Sequence, residues 1–449
     1  MQSLPVYETT LLIVESPSIA RIIESFNIAG LQLWSSSGYC WKPVFNHRKQ
    51  RVEKRVNRDQ LEDRKRLREI ADWASKIVIA TDNDPSGVFL AEAIRTFLKD
   101  HSLFRGFITS LDPESIKATI DCAHPIAREP FHQLERKWIA RNILKSGSND
   151  SLLWTKIALV VLFSHPPYKL RYIDEQGHPW RSFHQPVNPF DRQEVLPDHK
   201  WYPEPVQPPT TLCLLAQVRA EGERFADLQE ELEYLFTRSA RAGFPISYPR
   251  SATPGWHDAT WNRFKELYQR ENGLEHILPD PLQNRCRQDV AHEALHVIDP
   301  HKNDPALARP HLNRRQFLIY EKLHQLSRRA MECVPHIEPS PHMKPEPVIT
   351  TADLCSFLSD FHVCSPSSIG SITDRLIKQN FMEIKTGSDR INPGERLMRC
   401  IHHTNTEYLA RLLKQLKNDI ESSSDEYAGA EQTAQELLRS PETKPLRNL

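Results

Sequence analysis

The sequence predicts a multidomain α/β and α+β chain that opens on a parallel-sheet domain. Three observations predict it. The runs Leu11–Val14 and Lys76–Thr81 are short and mainly apolar, end beside acids and lead into helical patterns, as buried parallel strands with helical crossovers do. Ala352–Asn380 carries two helical patterns around a Ser-Pro turn, the layout of a winged helix. The length, 449 residues, accommodates roughly two to four domains with buried cores.

The first strand runs through Leu11-Leu12-Ile13-Val14 into Glu15, and a helix is expected over 18–26. The second, Lys76-Ile77-Val78-Ile79-Ala80-Thr81, ends in Asp82-Asn83-Asp84-Pro85-Ser86-Gly87 before a helix over 88–99. Open α/β sheets bind ligands at the carboxyl ends of their strands, so Glu15, Asp82 and Asp84 can converge on one hard cation. Magnesium suits them, because it takes few carboxylates, keeps several waters and shares a phosphate. The Asp-Asn-Asp-Pro run also reads as a helix-capping turn. The coincidence with Glu15 tips the reading toward metal.

Composition sets limits. No charged start followed by an apolar stretch opens the chain, and the apolar run Ile157–Phe163 is too short to span a bilayer, so a cytoplasmic address is expected. Eight cysteines include no Cys-x-x-Cys pair, which argues against a zinc ribbon or a redox dithiol. No Walker loop is present. Lys plus Arg equals Asp plus Glu, 58 each, so net charge says nothing about a polyanionic partner. Local charge does. Between Lys42 and Glu69 stand eleven bases against five acids, which read either as a solvated, salt-bridged helix or as a phosphate-contacting arm.

Farther on, Ile246-Ser247-Tyr248-Pro249-Arg250-Ser251 sets a phenol two residues from a guanidinium on an extended segment. Read blandly, it is a half-buried strand end. Read chemically, a tyrosine hydroxyl can attack a phosphodiester and an arginine fork can hold the same phosphate. His292, in Ala291-His292-Glu293-Ala294, can donate to a phosphate oxygen or cap a helix start.

Six stretches follow one another in a telling order: Val14-Glu15-Ser16-Pro17-Ser18-Ile19-Ala20-Arg21, Arg136-Lys137-Trp138-Ile139-Ala140-Arg141, Pro208-Pro209-Thr210-Thr211, Gly243 to Arg250, Ala291-His292-Glu293-Ala294, and Ser365-Pro366-Ser367-Ser368. In that order they resemble the motifs of type IA DNA topoisomerases, in divergent and shortened form, with the first inside a Toprim domain. The resemblance implies a Toprim (Rossmann-like) domain over 1–130, a helical segment with a reduced β arch over 131–207, and an active-site tyrosine domain over 208–333. A helix-turn-helix-like DNA-binding segment over 334–422 and a polar tail over 423–449 complete it.

The same resemblance implies magnesium-dependent, ATP-independent cleavage of single-stranded DNA through a 5′-phosphotyrosine on Tyr248, then strand passage and religation. Arg250, Glu15 and His292 would join Tyr248 in catalysis, Glu15, Asp82 and Asp84 would hold magnesium, and Arg21, Arg136, Ser367 and Ser368 would meet DNA. A monomer is expected. This chain departs from the pattern at Ser86 and Val88, where the family has further acids, and at Ser16 and Ile19, where its branches carry a lysine. Two other readings therefore stay open: a noncatalytic DNA-binding or partner-binding module, and a Toprim nuclease that ignores the tyrosine.

Overall fold

The computed structural model describes residues 9–36, 41–46, 51–82, 85–108, 110–126, 132–148, 150–165, 171–173, 179–182, 201–203, 207–272, 292–300, 302–331, 349–364, 366–422 and 428–447. Asp84, Ala291, Ser365 and the segment 334–347 lie outside them. The described residues fall into two compact units. The first gathers Met1–Ile139, Phe236–Tyr248 and Ile420–Tyr427; the second gathers Ala140–Leu235, Pro249–Asp419 and Ala428–Leu449.

In the first unit, chain order is β1 (Thr10–Val14), α1 (Pro17–Ser25), β2 (Leu31–Ser35), β3 (Trp41–Asn46), β4 (Arg51–Val56), α2 (Leu61–Ala71), β5 (Lys76–Ile79), α3 (Pro85–Phe97), β6 (Leu103–Arg105), α4 (Pro113–Asp121) and β7 (His124–Pro125). The helix α5 (His132–Ser148) follows. Five strands make one sheet in the order β2-β1-β5-β6-β7. The first three pairings are parallel and β7 adds an antiparallel edge. Strand β1 is buried from Leu11 to Val14, which is why it reads as a continuous apolar run rather than an alternating one. Leu11, Ile13, Trp34, Ile77, Ile79 and Phe89 lie together in its core. The helix starts are written into the sequence. Ser16 accepts from the Ser18 N–H ahead of Pro17, and Asp112 accepts from the Ser115 N–H ahead of Pro113.

The second unit is mainly helical. It begins inside α5, at Ala140, and continues into α6 (Leu153–Ser164), whose residues Leu153–Leu162 are all buried. The apolar run there serves a protein core, and no described helix is long and apolar enough to cross a membrane. Within it Lys156 is buried and paired with Asp150 at 2.8 Å. Three short antiparallel strands follow, β8 (Arg171–Ile173), β9 (Pro179–Ser182) and β10 (Trp201–Pro203). Then come α7 (Thr211–Val218), α8 (Phe225–Arg241, whose last turns belong to the first unit), α9 (Asp258–Asn272), α10 (Pro305–Ala308) and α11 (Arg314–Arg329).

Strand β11 (Ile349–Thr350), helices α12 (Thr351–Asp360) and α13 (Ile369–Lys378), and strands β12 (Met382–Ile384) and β13 (Arg390–Pro393) make two helices beside a three-stranded sheet of order β11-β13-β12. That is the layout of a winged helix. α14 (Glu395–His402), α15 (Thr406–Glu421), α16 (Ala428–Arg439) and α17 (Lys444–Arg447) close the chain. The last two correct the expectation of a polar tail. Ala430, Ala434 and Leu437, at helical spacing, are buried, and Thr433 Oγ1 donates to Asp419 Oδ2 at 2.7 Å. Small apolar residues in a polar stretch gave the composition its hydrophilic average while still supplying a helix face.

Candidate active site

The order of the five-stranded sheet positions the site. β1 and β5 are neighbours, yet the chain leaves β1 toward β2 and leaves β5 toward β6. At such a switch point the two crossovers part and the carboxyl ends of the strands border a crevice. Glu15 follows β1 and Asp82 follows β5. Glu15 Oε1 accepts the Asp82 backbone N–H at 3.1 Å, which ties the two strand ends together.

Tyr248 comes to the same crevice from the end of α8. Gly243, with φ of 82°, takes the left-handed conformation there, and the Phe244 N–H returns to the Ser239 carbonyl at 2.8 Å, a glycine-closed helix end. The chain then runs back to form an antiparallel bridge between Ser247 and Ser110. Tyr248 Oη donates to Asp82 Oδ2 at 2.6 Å, and its ring meets Phe236 edge-on at 5.6 Å. Phenol, aspartate and glutamate thus form one chain of contacts.

Sequence reasoning missed a fourth member. Arg105, at the end of β6, is fully buried. Its Nη1 donates to the carbonyls of Ile79 (3.1 Å) and Thr81 (2.8 Å), and its Nη2 to that of Asp82 (3.1 Å). One guanidinium therefore holds the last turn of chain before the aspartate, with its face over the Phe107 ring at 4.5 Å. A lone arginine in the strand Leu103-Phe104-Arg105 was the signal for it. Gly87 matters for the same loop. A Cβ there would stand 1.9 Å from the Asp82 carbonyl oxygen, so only glycine lets the first turn of α3 approach.

Other residues expected at the site stand as follows. Arg21 is exposed, with Nε donating to the Pro17 carbonyl at 3.3 Å. Arg136 is a correction. Expected to meet nucleic acid, it is fully buried, and its Nη1 donates to the carbonyls of Ile420, at 3.3 Å, and Ser422. It holds the carboxyl-terminal end of α15, where helix carbonyls otherwise lack partners. In the second unit, Arg250 pairs with Glu233 at 3.2 Å, both half exposed. Thr211 Oγ1 donates to the Pro249 carbonyl and accepts the Ser251 N–H, at 2.9 and 2.8 Å, which fixes the chain on either side of Arg250. Ser367 and Ser368 occupy the 3-10 turn before α13, Ser367 exposed and Ser368 half-buried.

His292 is half-buried, and its neighbour Glu293 caps α9 from outside that helix. Glu293 accepts the His257 N–H at 2.7 Å and the Thr260 hydroxyl at 2.8 Å. Close by, burial pushes the His296 imidazole below its ordinary value. Glu293 opposes that shift, while Arg263 and His257 reinforce it. Folded His296 resists a proton that the unfolded chain accepts. Its contribution is therefore whole above 6.5 and is lost as the pH falls below that value. The stability to urea is expected to fall by up to about 1.4 kcal/mol per pH unit below that point, and His296→Gln to remove that part of the slope. Denaturation midpoints at neutral and mildly acidic pH check it.

The described donors fit a magnesium ion only in part. Glu15 and Asp82 offer hard carboxylate oxygens at one sheet edge, and magnesium is commonly held by one or two carboxylates with waters and a phosphate. Among the described residues no group of three or more acids, histidines or cysteines could hold a metal.

Residues 10–111 match the Toprim domain, so the sheet that carries Glu15, Asp82 and Arg105 is a Toprim sheet. Among solved structures the chain is similar to full-length topoisomerase I from Thermotoga maritima, with a TM-score of 0.55 and 15% identity, covering 98% of this chain and 88% of that one. In fold, then, the chain is type IA topoisomerase-like. No curated protein matches it in sequence.

Proposed function

We propose that the protein is a type IA DNA topoisomerase that opens one DNA strand through Tyr248 and reseals it. The observation that carries this reading is the hydrogen bond from Tyr248 Oη to Asp82 Oδ2 at 2.6 Å, with Glu15 on the Asp82 N–H. A carboxylate in that contact can take the phenolic proton as the tyrosine oxygen bonds to phosphorus. The P–O3′ bond breaks, the DNA 5′-phosphate stays on Tyr248, Asp82 keeps the phenolic proton, and a proton from Glu15 or water is delivered to the leaving 3′-oxygen. Religation is the reverse, with the proton returned to the phenolate, so no ATP is consumed. Glu15 and Asp82 would hold the magnesium ion, which when bound supplies positive charge to the phosphate. Arg250 and His292 would stabilise charge on that phosphate.

One observation favours a second reading. Arg250 is paired with Glu233, which suits a module that keeps the frame without the chemistry. Negatively supercoiled plasmid with magnesium separates the two. Relaxation that depends on Tyr248 supports the enzyme. Nicking that survives Tyr248→Phe points to a nuclease, and strand binding without reaction to the module.

A further inference from the structure

The charge-rich stretch of the first unit takes no part in the chemistry above, and its geometry gives it a role. The ribbon of β3 and β4 is a two-stranded sheet outside the five-stranded one. Two-stranded ribbons are marginal alone. This one is anchored at its base, where Trp41 is buried in the Toprim core and Arg64 stacks on the Trp41 and Phe97 rings at 5.1 and 4.7 Å. Its register sets Lys42 directly opposite Arg55, and Asn46 opposite Arg51. Like charges directly opposed across a ribbon destabilise it unless an anion intervenes. Positions 42, 51 and 55 share the strand face that Trp41 does not, and Glu53 stands on that face too, its carboxylate accepting from Asn46 Nδ2 at 3.0 Å.

Basic residues continue into α2. Arg55, Arg58 and Arg66 are exposed. At the far end of that helix Trp73 is 83% exposed. Its backbone is nonetheless fixed, since its N–H donates to the Ile70 carbonyl at 3.2 Å and its carbonyl accepts from Thr9 Oγ1 at 3.0 Å. Trp73 stands two residues past the end of α2, in the turn that closes the helix. Exposed cations together with an exposed indole on a fixed backbone suit a single strand, because every base has a face to stack. Duplex DNA, with its bases already stacked, has no use for the indole.

We propose that the β3–β4 ribbon and α2 form an accessory surface for single-stranded nucleic acid, with Arg55, Arg58 and Arg66 on its phosphates and Trp73 against a base. The surface is distinct from the Glu15, Asp82 and Tyr248 crevice and binds whether or not that crevice reacts. Anisotropy titrations of the full chain with short labelled oligothymidylate and oligouridylate test it across a range of salt. R55Q/R58Q is expected to bind roughly tenfold more weakly at low salt. Its plot of log affinity against log salt is expected to be shallower by about 1.4, at roughly 0.7 per lost phosphate contact on a single strand. W73A is expected to lose roughly tenfold in affinity with the salt slope unchanged. The two oligomers decide between DNA and RNA as the strand preferred. Wild-type affinity and slope in R55Q/R58Q, or unchanged binding in W73A, would overturn the proposal. Thermal melts equal to wild type exclude misfolding, and Tyr248 adduct formation at saturating oligonucleotide reports the crevice separately.

Discussion

Tyr248→Phe is expected to leave supercoiled plasmid unrelaxed and to abolish the detergent-resistant protein–DNA adduct, a loss on the order of 10⁴-fold or more in cleavage. The substitution deletes one oxygen, the atom proposed to bond to phosphorus. The ring keeps its edge contact with Phe236, and the backbone bridge from Ser247 to Ser110 does not involve the hydroxyl. What is lost structurally is one hydrogen bond to a half-buried Asp82, worth roughly 1.5–3 kcal/mol at most for a charged acceptor and less where water can replace it. The variant should therefore fold, and a urea midpoint near wild type separates lost chemistry from lost structure. Asp82→Asn completes the test. It keeps the side-chain size but cannot take the phenolic proton as readily, so adduct formation is expected to slow by roughly 10²- to 10⁴-fold while single-strand binding persists. Retained adduct in Tyr248→Phe would mean that another group attacks the phosphate.

The sequence made the sheet edge legible because the relevant information is local. An apolar run ended by Glu15 and another ended by Asp82 specify two buried parallel strands, and the physics of open sheets then brings their ends together. The fold carried by the ordered motifs was legible for the same reason. Arg105 was harder to read, since a guanidinium in a strand usually means an exposed face, and its partners are main-chain carbonyls that no side-chain pattern announces. Arg136 failed in the opposite direction. Its family position suggested a phosphate, but it is buried against the Ile420 carbonyl, 284 residues away along the chain. The carboxyl-terminal helices were missed because alanines at 430 and 434 count little toward a hydrophobic average yet pack well on a helix face.

Arg105→Met is expected to be the most destabilising single change at the site, by about 3–5 kcal/mol, because it takes the guanidinium from the Thr81 and Asp82 carbonyls and leaves the Ile79 carbonyl with only the Gly106 N–H. Burying a guanidinium is costly, and replacing a buried ion pair with apolar side chains can stabilise a protein. That gain requires both partners to go. Here the acceptors are the carbonyls of Ile79, Thr81 and Asp82, which belong to the backbone and remain. Each unpartnered acceptor costs roughly 1–3 kcal/mol, and methionine retains only the packing on Phe107. Arg105→Lys keeps the charge but presents a single head that cannot span three acceptors, so it is expected to recover about half the loss. Urea denaturation of the three proteins measures it. A methionine variant within about 1 kcal/mol of wild type would mean that the strand end holds itself. The loss predicted instead would make the guanidinium the support on which Asp82, and through it Tyr248, is aligned.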